Sequence, residues 1–359
     1  MRHATTRRRF LRTATGASAA VAASLAHSRR SEAAAGQGVR RLTVDGFIDL
    51  QVNGFAGVDF NDPKCTPDQV QQAAGAMRRT GVTQFLATLI SAPADRFATC
   101  ARTLLAAADP ALAGIHMEGP YISPEDGARG AHRREDIAPP TMEDFARRQE
   151  AAEGHIRLVT VAPEVPGVLP LIERLVGDGV RVAIGHSAAS PAQIAEAVRA
   201  GATMSTHLGN GCAQLLPRHP NVIWEQLAAD ALTAGLIVDG HHLPGSTVKA
   251  MVRAKTPDRV VLVTDATTAA GQPPGEYMFG NLRVRLDATG RVAVPGQPNL
   301  AGSALSLDRA VGNTVQFTGL PLETVLAMVT TQPRALMGLP PRGQITIEWE
   351  AAAHRLRVT

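Results

Sequence analysis

Residues 46–60 read Gly-Phe-Ile-Asp-Leu-Gln-Val-Asn-Gly-Phe-Ala-Gly-Val-Asp-Phe, a short apolar run that ends in amides, glycines and an acid. Gln51 and Asn53 stand two apart, so in an extended chain both side chains point to one face. Similar runs recur downstream. Short apolar, β-branched segments at 47–52, 83–89, 113–117, 157–162, 180–185, 202–206, 235–238 and 259–264 alternate with Ala/Leu/Arg-rich helical stretches. Prolines open several of those stretches, at 67–80, 170–178 and 191–200, as expected for residues at helix N-termini. Eight strands separated by helices predict an α/β chain folded as a (β/α)8, TIM-like barrel.

The residues that follow these strands carry the chemistry. The first strand runs into Gln51-Val52-Asn53 and the third into His116-Met117-Glu118-Gly119-Pro120. The fifth is followed by Gly185-His186-Ser187, the sixth by Thr206-His207-Leu208, the seventh by Asp239-Gly240-His241-His242 and the eighth by Thr264-Asp265-Ala266. In such barrels the carboxyl ends of the strands form the active-site face. Six strands therefore deliver metal-competent or proton-transferring groups to one rim.

Two imidazoles, a carboxylate and an open fourth position make a hydrolytic zinc site. Glu118, His186 and His207 supply that set at separations of 68 and 21 residues, too wide for a zinc finger and suited to three different strands. Asp265 closes an apolar strand. A carboxylate there serves as a helix cap, a metal ligand or a general base, and beside a metal-bound water the base role has a physical rationale.

Composition excludes other classes. The chain has 359 residues, 45% of them hydrophobic and 19% charged, as in a soluble globular protein. Cys65, Cys100 and Cys212 are scattered and offer neither a disulfide framework nor a thiolate metal site. The formal charge of +4 is concentrated at one end, because residues 1–35 hold seven arginines and one acid and leave 29 basic against 31 acidic residues elsewhere. No basic face for nucleic acid remains. Residues 1–35 read as a leader: Thr6-Arg7-Arg8-Arg9-Phe10-Leu11-Arg12 is similar to a twin-arginine export signature, with a mildly apolar stretch after it. That reading implies a periplasmic protein; a disordered tail on a cytoplasmic one is the alternative. The apolar stretch is too short for a membrane span, which needs about 20 strongly apolar residues.

FIDLQVNG, HMEGP, GHS, THLGN, DGHHL and TDAT, in this order over residues 46–340, resemble the N-acetylglucosamine-6-phosphate deacetylases of the amidohydrolase superfamily. The resemblance implies a metal-dependent barrel that removes acetate from a phosphorylated amino sugar, usually as a homodimer or tetramer. By position it implies Glu118, His186 and His207 as ligands of the main metal, Asp265 as catalytic base and then acid, and His132 as donor to the acetamide carbonyl. It further implies substrate contacts at Asn210 and Gly211, with Arg218 and His242 at the phosphate and Arg218 reaching a neighbouring subunit's site. Superfamily relatives often place His-x-His on the first strand and hold a second metal. Neutral amides are weak zinc ligands beside imidazole, so Gln51-x-Asn53 implies one ion, zinc, with iron, manganese or cobalt as alternatives, and amides that order water or substrate.

The resulting division is a leader at 1–35, a remnant of a small β domain at 36–46, the barrel at 47–340 and a C-terminal β segment at 341–359. A β-hairpin insertion is expected at about 281–294, around Asp287-Ala288-Thr289-Gly290, followed by helices at about 303–317 and 321–337. Three features depart from the family pattern. The small β domain is reduced. Gly209 and Cys212 replace bulkier residues and imply a wider sugar pocket. An exported enzyme would lie away from phosphorylated sugars, which keeps an unphosphorylated N-acetyl amino sugar or another amide open as substrate. A decayed, non-catalytic carbohydrate-binding barrel is a third reading, which the intact Asp265 disfavours.

Overall fold

A computed structural model describes residues 38–297 and 299–359; the leader assigned to 1–35 lies outside the described residues. The eight central strands, in chain order, are β1 (Phe47–Val52), β2 (Val82–Ile90), β3 (Leu112–Glu118), β4 (Ile156–Val161), β5 (Arg181–Ile184), β6 (Met204–Ser205), β7 (Thr233–Leu236) and β8 (Val260–Leu262). Each pairs in parallel with the next, so spatial order follows chain order. Residues along β1 are buried on both faces, one against the barrel interior and the other against helices, which explains the unbroken apolar run.

The seam between β8 and β1 closes through few ladder bonds. Asp265 N–H donates to the Gln51 carbonyl at 2.9 Å and Asn53 N–H to the Ala266 carbonyl at 2.8 Å. A buried carboxylate adds to them: Asp49 accepts from the Thr264 hydroxyl at 2.6 Å and from the Thr264 and Gln51 N–H groups, both at 3.2 Å. The seam therefore places Asp265 directly against the end of β1.

Helices start where local chemistry dictates. Thr66 and Ser190 form capping boxes with Gln69 and Gln193, with Pro67 and Pro191 at the first helical positions. The helix expected from Pro170 begins earlier, at Val168, because Gly167 takes a left-handed conformation (φ 85°) that turns the chain into the helix and leaves the proline in its first turn. The long helix expected at 321–337 splits into Leu322–Ala327 and Thr331–Met337.

Strand Val39–Asp45 pairs antiparallel with Gln344–Glu350, which pairs in turn with Arg355–Val358. This small sheet from the chain ends packs onto the barrel through Ile347, Trp349 and Leu356, all buried in its core. The insertion is larger than expected. Gly275–Phe279 pairs with Leu282–Leu286 across a Gly280-Asn281 turn, and the Asp287–Gly290 turn makes a second reversal towards Val292–Ala293. Gly280 (φ 58°) permits the first reversal, which lies just before the expected start of the insertion at 281. Phe279, Val284, Leu286 and Val292 give the insertion its own apolar cluster.

Candidate active site

Glu118 ends β3, while His186, His207 and Asp265 lie two or three residues beyond β5, β6 and β8. These last three have positive φ, at 49°, 27° and 51°. Left-handed backbone at a residue with a Cβ costs on the order of 1–3 kcal/mol and persists where surrounding structure imposes it. Here it turns each side chain back over the mouth of the barrel.

The three groups converge. Glu118 Oε1 lies 3.0 Å from His207 Nε2 and 3.3 Å from His186 Nε2, and the two Nε2 atoms are 3.0 Å apart. His186 Nδ1 sits 3.0 Å from the Ala128 carbonyl, which only accepts, so Nδ1 carries the ring proton and Nε2 presents a lone pair. A carboxylate oxygen facing such nitrogens at these distances calls for a cation between them, a proton or a metal ion. Burial opposes the charge of Glu118, yet the facing His186 and His207 side chains hold its carboxyl well below the usual range. Burial likewise opposes a charged His207, and the hydrogen bond to Glu118 overrides it and raises its pKa. Two imidazoles and one carboxylate, buried and mutually within 4.8 Å, fit a divalent ion.

The β1 amides work on the carboxylates. Gln51 Nε2 donates to Glu118 Oε1 at 2.8 Å and to Asp265 Oδ1 at 3.2 Å; Asn53 Nδ2 donates to Asp265 Oδ1 at 2.7 Å. A carboxylate only accepts, so both amides are fixed with NH₂ inward. Gln51, expected to order water or substrate, is fully buried and does not line the cavity, whereas Asn53 does. Burial, then the negative charge of Glu118, pushes the Asp265 pKa up to about 6.

His132 comes from the loop after β3. The Ser91 N–H, a donor only, points at its Nδ1 at 3.3 Å, with the Ser91 hydroxyl at 2.8 Å. Nδ1 therefore accepts and Nε2–H faces the cavity, 4.0 Å from Glu118 Oε2. Burial, reinforced by His186, lowers its pKa to about 3, so the ring is a neutral donor at neutral pH.

These groups open on a cavity of about 210 Å³, lined also by Asn210, Gly211, Cys212, Gln214, His242 and Asn299. Gly211 does more than line it. At φ 59°, a Cβ there would stand 2.8 Å from His186 Nδ1, and one on Gly130 (φ 59°) would stand 3.0 Å from His186 Cε1. The His186 ring is clamped between two glycines. Gly209 does not widen the pocket as expected, because its Cβ would meet Met251 at 2.9 Å. Arg218 is exposed and outside this cavity. His241 bonds the Thr289 carbonyl at 3.1 Å, and Glu164 accepts from Ser187 Oγ at 2.7 Å and Ala188 N–H at 2.6 Å, supporting the loop beyond His186.

Sequence reasoning assigned no individual role to Ser91, Gly130 or Asp239. Asp239 was legible as an acid three residues before His242; Ser91 and Gly130 gave no local signal, since their contacts are long-range.

A family model described as the amidohydrolase family matches residues 44–353. The chain belongs to the amidohydrolase family. This amidohydrolase is 34% identical over 323 residues to an N-acetylglucosamine-6-phosphate deacetylase of Lysinibacillus sphaericus, covering 88% of this chain and 82% of the relative. It is 33% identical over 304 residues to an N-acetylgalactosamine-6-phosphate deacetylase of Escherichia coli, covering 83% and 78%. Among solved structures, an aspartate-to-alanine variant of the N-acetyl-D-glucosamine-6-phosphate deacetylase of Mycobacterium smegmatis, in complex with N-acetyl-D-glucosamine-6-phosphate, superposes with a TM-score of 0.81 at 29% identity, covering 89% of this chain and 85% of that one.

These relatives correct the export assignment. They are named for sugar phosphates, a substrate class made inside the cell, which runs against a periplasmic amidohydrolase. Among the described residues no helix is long and apolar enough to cross a membrane.

Proposed function

We propose that this amidohydrolase hydrolyses the acetamide of N-acetylglucosamine 6-phosphate, giving glucosamine 6-phosphate and acetate. The observation that carries the reading is the convergence of Glu118 Oε1, His186 Nε2 and His207 Nε2 beside Asp265 at the barrel mouth.

Glu118, His186 and His207 hold one divalent ion in this reading. Zinc suits a carboxylate and two imidazoles, with iron, manganese and cobalt as alternatives. When bound, the ion supplies Lewis acidity to the amide carbonyl and the attacking water. Asp265 accepts the water's proton and returns it to the departing amine; a pKa near 6 suits a group that exchanges protons close to neutrality. His132 donates Nε2–H to the acetamide oxygen, where negative charge develops. Gln51 and Asn53 hold Asp265 in line while it does so. Asn210 and Gly211 border the sugar, and His242 faces the 6-phosphate. Arg218 serves the site of a neighbouring subunit in a homodimer or tetramer, consistent with its exposure and with Leu215 beside it, which is 92% exposed.

A second reading, the galactosamine epimer as substrate, is favoured by the 33% identity to the enzyme named for it. Acetate release from both phosphosugars, and from unphosphorylated N-acetylglucosamine, decides among them. The proposal expects the fastest release from N-acetylglucosamine 6-phosphate and loss of it on chelation. Faster turnover of the galactosamine epimer supports the second reading, and turnover of neither phosphosugar contradicts both.

A further inference from the structure

His242 is the one imidazole lining the cavity that belongs neither to the Glu118, His186 and His207 cluster nor to the His132 position. Among the described residues the lining holds no arginine or lysine. An anionic substituent entering this chain's own cavity therefore meets His242 as the basic group not already committed to the centre.

The orientation of His242 is set by Asp239. His242 Nδ1 donates to Asp239 Oδ2 at 2.7 Å, while Asp239 Oδ1 accepts the backbone N–H groups of His241 and His242, both at 2.8 Å. Both side chains are only 7% exposed. A carboxylate accepts and cannot donate, so Nδ1 carries a proton. Nε2 faces away from Asp239 and makes no hydrogen bond to the described residues; it donates to an anion when it too takes a proton, an imidazolium that the Asp239 carboxylate supports. Burial works against the charge of Asp239, yet the hydrogen bond from His242 and those from the backbone hold its carboxyl below the usual range. The pair thus remains a charge-supported dyad whose free nitrogen opens on the cavity.

We propose that Asp239 is a positioning residue that fixes His242 with Nε2 aimed at the substrate's phosphate, and so sets the preference for the phosphorylated sugar without touching the reacting atoms. This rests on the phosphosugar reading above. Asp239 also caps its own loop, so a structural role must be separated from this one.

A double-mutant cycle on metal-loaded protein makes the separation. KM and kcat are measured for N-acetylglucosamine with and without the 6-phosphate in the wild type, Asp239→Ala, His242→Ala and the double variant. The expected result is a rise of about tenfold in KM for the phosphosugar in Asp239→Ala, the size of one charge-assisted hydrogen bond, with kcat little changed. In the His242→Ala background the Asp239 substitution adds nothing further, and Asp239→Asn, which keeps an acceptor oxygen, recovers part of the loss. Equal losses on both sugars, or a full additional effect in the His242→Ala background, overturn the proposal. If Asp239→Ala does not fold, Asp239→Asn alone and combined with His242→Ala carries the same comparison. A wild type that shows no preference for the phosphorylated sugar defeats the phosphosugar reading itself. A preference in the wild type with additive variants defeats only the role of Asp239.

Discussion

The side-chain amide of Gln51 lies 2.8 Å from Glu118 Oε1, and the same nitrogen reaches Asp265 Oδ1 at 3.2 Å. One donor thus ties the carboxylate of the metal-competent cluster to the carboxylate proposed as base. Gln51→Leu keeps the bulk but removes the donor, leaving two buried acids to repel each other. Partners of this kind typically contribute 10–100-fold to metal affinity or activity. The variant is expected to lose about that much acetate release, with weaker zinc binding by competition with a chromophoric chelator. Wild-type zinc affinity together with wild-type turnover would show that the amide is only filler.

The glycine clamp gives a second test. Gly211→Ala puts a methyl 2.8 Å from His186 Nδ1 at a φ of 59°, which an L side chain tolerates poorly. The ring must shift from the position in which its Nε2 faces Glu118. Zinc affinity should fall at least tenfold with secondary structure intact by circular dichroism; unchanged affinity contradicts the clamp.

Much of this site was legible in the sequence because its residues follow strands whose order is readable. An apolar run ending in Asp265 or preceding His186 needs no tertiary information to be placed at a barrel rim. What was not legible is what closes space between distant segments. Nothing local to Ser91 tells of His132, 41 residues away, and nothing near Gly130 tells of His186. The role of Gln51 was misjudged for the same reason: its spacing from Asn53 gave the face, but only the fold supplies the two carboxylates it meets. The insertion was drawn too short because it was anchored on the Asp287–Gly290 turn alone, which leaves out Gly275–Phe279, the strand that pairs with Leu282–Leu286.

Asp49 predicts a pH dependence of stability. Burial, only partly offset by hydrogen bonds from Thr264, raises its pKa from 3.8 to about 7. A raised carboxyl pKa means that the folded state binds the proton more tightly than the unfolded one. Its contribution is then greatest at low pH, falls as pH rises from about 4 to about 7, and is constant above. Asp49→Asn removes this component, so the difference in unfolding free energy between wild type and variant should shift in the variant's favour as pH rises from 5 to 8. Chemical denaturation at several pH values measures it, and a pH-independent difference contradicts the argument.

Asp265→Asn should abolish turnover while the protein still takes up one ion, because the variant keeps Glu118, His186 and His207. Elemental analysis beside acetate release separates the outcomes. Loss of the metal along with activity would make Asp265 mainly a ligand.

The central claim is that one ion held by Glu118, His186 and His207 drives deacetylation. Chelated protein, titrated with zinc while acetate release from N-acetylglucosamine 6-phosphate is followed, tests it most directly. The account predicts no release before addition, then a linear rise that saturates at one ion per chain. Release that survives chelation unchanged, or that does not return with added metal, contradicts it.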